Sequence, residues 1–99
     1  MFTLVWKLSG LTGSDAGHLE LNNSRLSFTP IDEAEPGFDV PITDVTDINF
    51  PWHYFGGGFK MRIGGEQYRF SFVEPHNEYA DIGGGREAGK AWKKLLLNK

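Results

Sequence analysis

Apolar and polar positions alternate through most of this chain. Phe2, Leu4, Trp6 and Leu8 interleave with Thr3, Val5 and Lys7, the period of a half-buried strand rather than a helix. Leu11 to Gly17, with Gly13, Ser14, Asp15 and Gly17, reads as a loop. A second strand follows, with Leu19 and Leu21 inward and His18, Glu20 and Asn22 outward. Asn22, Asn23 and Ser24 suit a turn, so Leu26 and Phe28 return as a third strand. Pro30 to Gly37 is a solvated loop. Phe38, Val40 and Ile42 mark strand four, with Pro41 outward at an edge or strand end, and Ile48 and Phe50 mark strand five.

Strands six and seven, Lys60 to Ile63 and Glu66 to Val73, flank Gly64 and Gly65, a two-residue loop suited to a tight hairpin. Counting back from that turn sets Met61 opposite Tyr68 and Phe59 opposite Phe70 on one face. Lys60, Arg62, Gln67 and Arg69 then lie on the other. After the glycines at 83 to 85 the period changes. Ala88, Ala91, Trp92, Leu95 and Leu96 form one apolar stripe of a helix, with Lys90, Lys93 and Lys94 on its other side. The expected fold is mainly β: residues 1–99 form a single domain, a seven-stranded bent sheet or partly open barrel, capped by one C-terminal α-helix that buries its stripe against the sheet.

Ninety-nine residues suffice for one core. Cysteine is absent, which removes disulfides, thiolate metal sites and a cysteine nucleophile together. Lys7 interrupts the first apolar run before a signal-peptide core forms, and no apolar stretch is long enough for a transmembrane segment, so a cytoplasmic location is expected. The net charge of −3 conceals an asymmetry. Residues 1–59 carry two bases against eight acids, and residues 60–99 carry eight bases against five acids. An acidic whole disfavours nucleic acid, while a local basic face in the second half stays open.

The run Gly17-His18-Leu19-Glu20-Leu21-Asn22-Asn23-Ser24-Arg25-Leu26-Ser27-Phe28 resembles the opening of bacterial GRAM-like and pleckstrin-homology-like (PH-like) domains, where Gly-x-Leu-x-Leu-Thr-x-x-Arg-Leu-x-Phe is usual. Phe38-Asp39-Val40-Pro41-Ile42-Thr43-Asp44-Val45 is similar to that family's Pro-Leu-Ser-Asp-Ile step. Tyr68-Arg69-Phe70-Ser71-Phe72 and Ala91-Trp92-Lys93-Lys94-Leu95 extend the likeness over nearly the whole chain. The resemblance implies a binding module with no shared enzymatic activity, recognising phosphoinositides, peptides or proteins. A phosphoinositide-binding member usually has a basic cluster in the first inter-strand loop. Leu11 to Gly17 instead holds Asp15 and no Lys or Arg.

The candidate chemistry is sparse. Gly84-x-x-x-x-Gly89-Lys90 looks like a phosphate-binding loop, but Ala91 lacks the needed hydroxyl and Gly89 falls inside the helix. His18, His53 and His76 are scattered, and no serine lies in a nucleophile elbow, so neither metal, cofactor nor catalytic residue is assigned. Lys60, Arg62 and Arg69 form a candidate anion-binding face. Lys60 directly opposite Arg69 needs compensation, and Asp47 on strand five is the favoured source. Trp52, Tyr54 and Phe55 belong to an aromatic run ahead of Gly56, Gly57 and Gly58. They serve either as anchors of a binding surface, homo-oligomer included, or as a lid folded over the open end of the sheet. The function expected is a non-enzymatic module for protein or peptide recognition. Peripheral binding of an anionic lipid through the basic face is the alternative, and a small enzyme or carrier with a cavity under the helix is the third.

Overall fold

The computed structural model describes residues 1–10, 13–51, 57–77 and 79–97. Seven antiparallel strands and one helix follow the expected order: β1 (Phe2–Ser9), β2 (Gly13–Asn22), β3 (Arg25–Pro30), β4 (Phe38–Pro41), β5 (Val45–Asn49), β6 (Gly58–Ile63), β7 (Glu66–Ser71) and α1 (Ile82–Leu97). The strands make one bent sheet in the order β4-β3-β2-β1-β7-β6-β5, with β4 and β5 at its edges and the sheet not closed between them. Among the described residues no helix is long and apolar enough to cross a membrane.

The tight turns form where the sequence places them. Asn23 and Ser24 both take positive φ between β2 and β3. Such angles match the twist of the strands they join, and Asn is among the residues that accept them most readily. At the β6–β7 tip the positive φ belongs to Gly64 alone, as in a turn with glycine at its first central position. The register counted back from it holds throughout, with Phe59 opposite Phe70, Lys60 opposite Arg69 and Met61 opposite Tyr68. Pro41 ends β4 on the sheet edge, where its missing N–H costs no ladder bond.

Three expectations are corrected. Gly13 to Gly17 is not loop but the first half of β2, because β1 is paired along its length from Phe2 opposite Glu20 to Ser9 opposite Gly13. Ile42 is not in β4 but opens a 3-10 turn, Ile42–Asp44, and β5 starts at Val45, before the expected position. Alternation left open which face of β1 is buried, and the structure decides it. Val5 is fully buried, while Phe2 and Leu4 are exposed and Trp6 and Leu8 half-buried, so the bulkier set of side chains points away from the core.

The third correction concerns the helix, which starts at Ile82 and takes in the glycines read as loop. Asp81 accepts the Gly84 N–H on its carboxylate at 2.9 Å, satisfying one of the free donors of the first turn. The buried stripe is Gly85, Gly89, Trp92 and Leu96, rotated from the expected one, and Ala91 and Leu95 are exposed. The rotation follows from how closely the helix approaches the chain ahead of β6. A side-chain carbon on Gly57, where φ is +86°, would collide with the Gly85 carbonyl, and one on Gly89 would sit 3.4 Å from the Gly57 Cα.

The single core joins Val5, Leu19, Leu26, Phe28, Val45, Phe59, Met61, Phe70 and Phe72 of the sheet to Trp92 and Leu96 of α1. Trp92 is fully buried, as its stripe predicts. Its indole Nε1–H donates to Thr3 Oγ1 at 3.0 Å, so the ring brings no unsatisfied donor into the interior.

Trp92→Ala is expected to cost about 3–5 kcal/mol, and Thr3→Val, which keeps the volume and removes the acceptor, about 1–3 kcal/mol, both measured by denaturant unfolding. At the β6–β7 tip, Gly64→Val should cost about 1–3 kcal/mol through backbone strain. The same change at Gly65 should cost measurably less, since its φ is not positive and open space surrounds it.

Candidate functional site

The β6–β7 hairpin places Lys60, Arg62 and Arg69 together on the outward face, because they alternate with the buried Phe59, Met61 and Phe70. The compensation expected from Asp47 is there for Arg62, whose Nε lies 3.5 Å from Asp47 Oδ2. Asp47 can reach because it has φ +54° at an irregularity between Thr46 and Asn49, which turns its side chain across β6. Arg69 is held differently, its Nη2 donating to the Gly10 carbonyl at 3.0 Å. Among the described residues the Lys60 ammonium has neither an ion pair nor a hydrogen bond. Trp52, Tyr54 and Phe55 lie outside the described residues. Beside them, Phe50 stacks on Phe59 at 5.1 Å and joins the margin of the core.

A second surface emerges from the outward face of β1. Phe2, Leu4, Trp6 and Leu8 form an outward apolar stripe on the central strand of the sheet, with Phe2 62% and Leu4 40% exposed. Phe2 stacks on His18 at 4.6 Å across the β1–β2 pair. On the other side, β7 pairs with β1 only at Trp6 and Lys7 and then departs. The gap it leaves is bordered by residues 73–77 and 79–81 and the first turns of α1, making a groove of about 510 Å³ along Leu4 and Trp6. Tyr79 stands on its rim, 87% exposed. Asn77 holds this border in place by accepting the Tyr79 N–H at 2.9 Å and donating to Glu74 Oε2 at 3.1 Å.

The charges around the stripe are unevenly placed. Continuing the β1–β7 register by one residue sets Leu8 beside Arg69, which lies opposite Lys60, so that end is basic. Glu74 and Asp81 border the groove at the Leu4 end, which is acidic. The stripe was missed in the sequence because alternation defines two faces of a strand without saying which is buried. One signal was present: the inward set offers Thr3, an acceptor for the indole N–H of Trp92, and the outward set offers none.

Two further features bear on ligand readings. Trp92 and Leu96 fill the space beneath the helix, and the groove of about 580 Å³ at its C-terminal half, along Leu21, Ala91 and Leu95, opens on the surface. At the far end of the sheet, the Lys7 ammonium lies 5.9 Å from the centre of the Phe28 ring, and Tyr68 packs on Phe38 at 5.1 Å. The Tyr68 hydroxyl donates to Glu66 Oε2 at 3.1 Å. Burial first, and then the Glu66 carboxylate, push the Tyr68 phenol above its ordinary value.

No family model, curated protein or solved structure matches this chain.

Because the fold raises the Tyr68 phenol, the native state holds that proton more tightly than the unfolded chain does. The stability it contributes is fully present below the ordinary phenol value of 10.0 and is lost as pH rises through the higher native value. Near-ultraviolet titration of tyrosinate absorbance should therefore show a late-ionising component that disappears in Tyr68→Phe.

Proposed function

We propose that this chain is a PH-like, GRAM-related module for protein or peptide recognition, and that the outward face of β1 is its recognition surface. The reading rests above all on one observation: the central strand turns Phe2, Leu4, Trp6 and Leu8 to the outside, next to a groove rimmed by an exposed tyrosine. Single exposed apolar residues are ordinary, but a contiguous row of large ones marks a surface that is covered by something else. Tryptophan and tyrosine are the side chains that most often anchor such contacts, since each combines a large apolar area with one polar group. The order of seven strands and one helix supports the kinship, as do the residues quoted from Gly17 to Phe28.

The anionic-lipid reading has less behind it. Two of its three cations are already engaged, Arg62 by Asp47 and Arg69 by the Gly10 carbonyl. A carrier function would need room under the helix, where Trp92 and Leu96 are fully buried.

Selection of random displayed peptides on the immobilised domain tests the proposal. Selected peptides should bind the unmodified domain and lose at least tenfold in affinity, about 1.4 kcal/mol, on Leu4→Asp, a substitution at an exposed position that leaves the melting temperature nearly unchanged. Peptides that bind both forms equally would move recognition to another surface. Sedimentation with anionic but not neutral vesicles, abolished by Lys60→Glu, would replace the proposal by the lipid reading.

A further inference from the structure

The charges flanking the apolar stripe single out one partner. We infer that the outward face of β1 pairs with the same face of a second copy of this chain, around a two-fold axis that lies between the two sheets and crosses β1 at right angles. The inference rests on the recognition reading above and gives it an occupant.

The argument is one of symmetry. A two-fold axis in that direction reverses β1 end for end, while the β7 side of one copy stays over the β7 side of the other. Along one chain the β7 side of the stripe is basic at the Leu8 end, from Arg69 and Lys60, and acidic at the Leu4 end, from Glu74 and Asp81. The operation lays each basic end on the acidic end of the partner subunit and each acidic end on its basic end. A two-fold axis parallel to β1 would instead lay the β7 side of each copy over the β2 side of the other, where Arg69 meets the end of the stripe flanked by Ser14 and gains no opposite charge. The charge pattern thus favours the first orientation over the second.

The remaining features fit that orientation. Arg69 keeps guanidinium donors beyond the one given to Gly10, and the Lys60 ammonium has no ion pair or hydrogen bond among the described residues. Glu74 is exposed, and the Asn77 bond holds it at the rim. On the β2 side Leu8, Trp6 and Leu4 are flanked by Ser14, Ala16 and His18, and Phe2 by Glu20, so a formal charge lies there only at the Phe2 end. Six residue rises along β1 and four strands across it give a footprint of roughly 20 by 20 Å. That is at the small end of specific interfaces, so the dimer should be weak and form reversibly at high protein concentration.

Sedimentation equilibrium of the full chain, from low micromolar to millimolar concentration, should show a reversible monomer–dimer equilibrium that raised salt weakens. Arg69→Glu alone and Glu74→Arg alone should each lower self-association by roughly tenfold or more, since each sets like charges together twice in the dimer. An equimolar mixture of the two variants should restore it, because every reversed residue then meets a reversed one. Circular dichroism melts of each variant check that the monomers remain folded, and Leu4→Asp should be monomeric throughout. A wild-type chain that stays monomeric, a mixture that fails to restore the dimer, or a Leu4→Asp chain that still dimerises would each overturn the inference. Its failure is distinguishable from failure of the recognition reading: a monomeric wild type whose selected peptides depend on Leu4 loses the second copy as partner and keeps the surface.

Discussion

Trp92 brings the largest side chain of the interior together with an N–H that must be satisfied there, and much of the arrangement follows from that pairing. An indole donor left without a partner in an apolar core would forfeit a large part of what burying the ring contributes. Thr3 supplies the acceptor, which commits Thr3 to the inner face of β1. Side chains on a strand alternate strictly, so Val5 and Lys7 are committed with it, and Phe2, Leu4, Trp6 and Leu8 are turned outward. One hydrogen bond between residues near opposite ends of the sequence thereby decides which face of the central strand is left uncovered.

The helix that carries Trp92 depends on the sheet as much as the sheet depends on it. Gly83, Gly84, Gly85 and Gly89 lie within α1, and each glycine in a helix interior costs about 1 kcal/mol relative to alanine, so the first turns have little intrinsic preference for helix. What lets the helix come close is Gly57, where a side chain would collide with the Gly85 carbonyl, and a side-chain carbon on Gly89 would sit 3.4 Å from the Gly57 Cα. Asp81 caps the N-terminus that would otherwise fray into the groove. Low propensity is accepted here in exchange for depth of burial.

How far the sequence could be read follows from what kind of signal each element carries. The β6–β7 register was legible because a two-residue turn sets the pairing, and with it came the outward cluster of Lys60, Arg62 and Arg69 and the Asp47 contact. The Gly10 carbonyl that holds Arg69 was not legible, since β1 and β7 are distant in sequence and pair over two residues only. Burial of Trp92 was legible from its stripe. The rotation of that stripe was not, because glycine reads as a helix breaker unless the close approach that requires it is known. The same holds for Gly13 to Gly17, whose composition suggests a loop but whose backbone is bound to β1. Trp52, Tyr54 and Phe55 were singled out in the sequence and lie outside the described residues, and the surface that did emerge carries its aromatics on a regular strand.

The edges of the sheet sharpen the meaning of that surface. An open sheet invites pairing along its edge strands, and proteins guard against this with proline, charge, short strands and irregular pairing. Both edges here are guarded. β4 is four residues long, ends in Pro41 and carries Asp39, which is bound to Arg25 at 2.9 Å. β5 is interrupted at Asp47, whose positive φ breaks the regular run of backbone groups, and Asp47 is paired with Arg62. No comparable device covers the middle of the sheet, where the outward positions of β1 are all apolar from Phe2 to Leu8. Selection against indiscriminate association would be expected to act on both places, because exposed large apolar rows are as adhesive as bare edges. Protection at the edges combined with an unguarded face therefore favours contacts made face to face, by side chains whose shape and charge can choose a partner, over contacts made by backbone, which cannot.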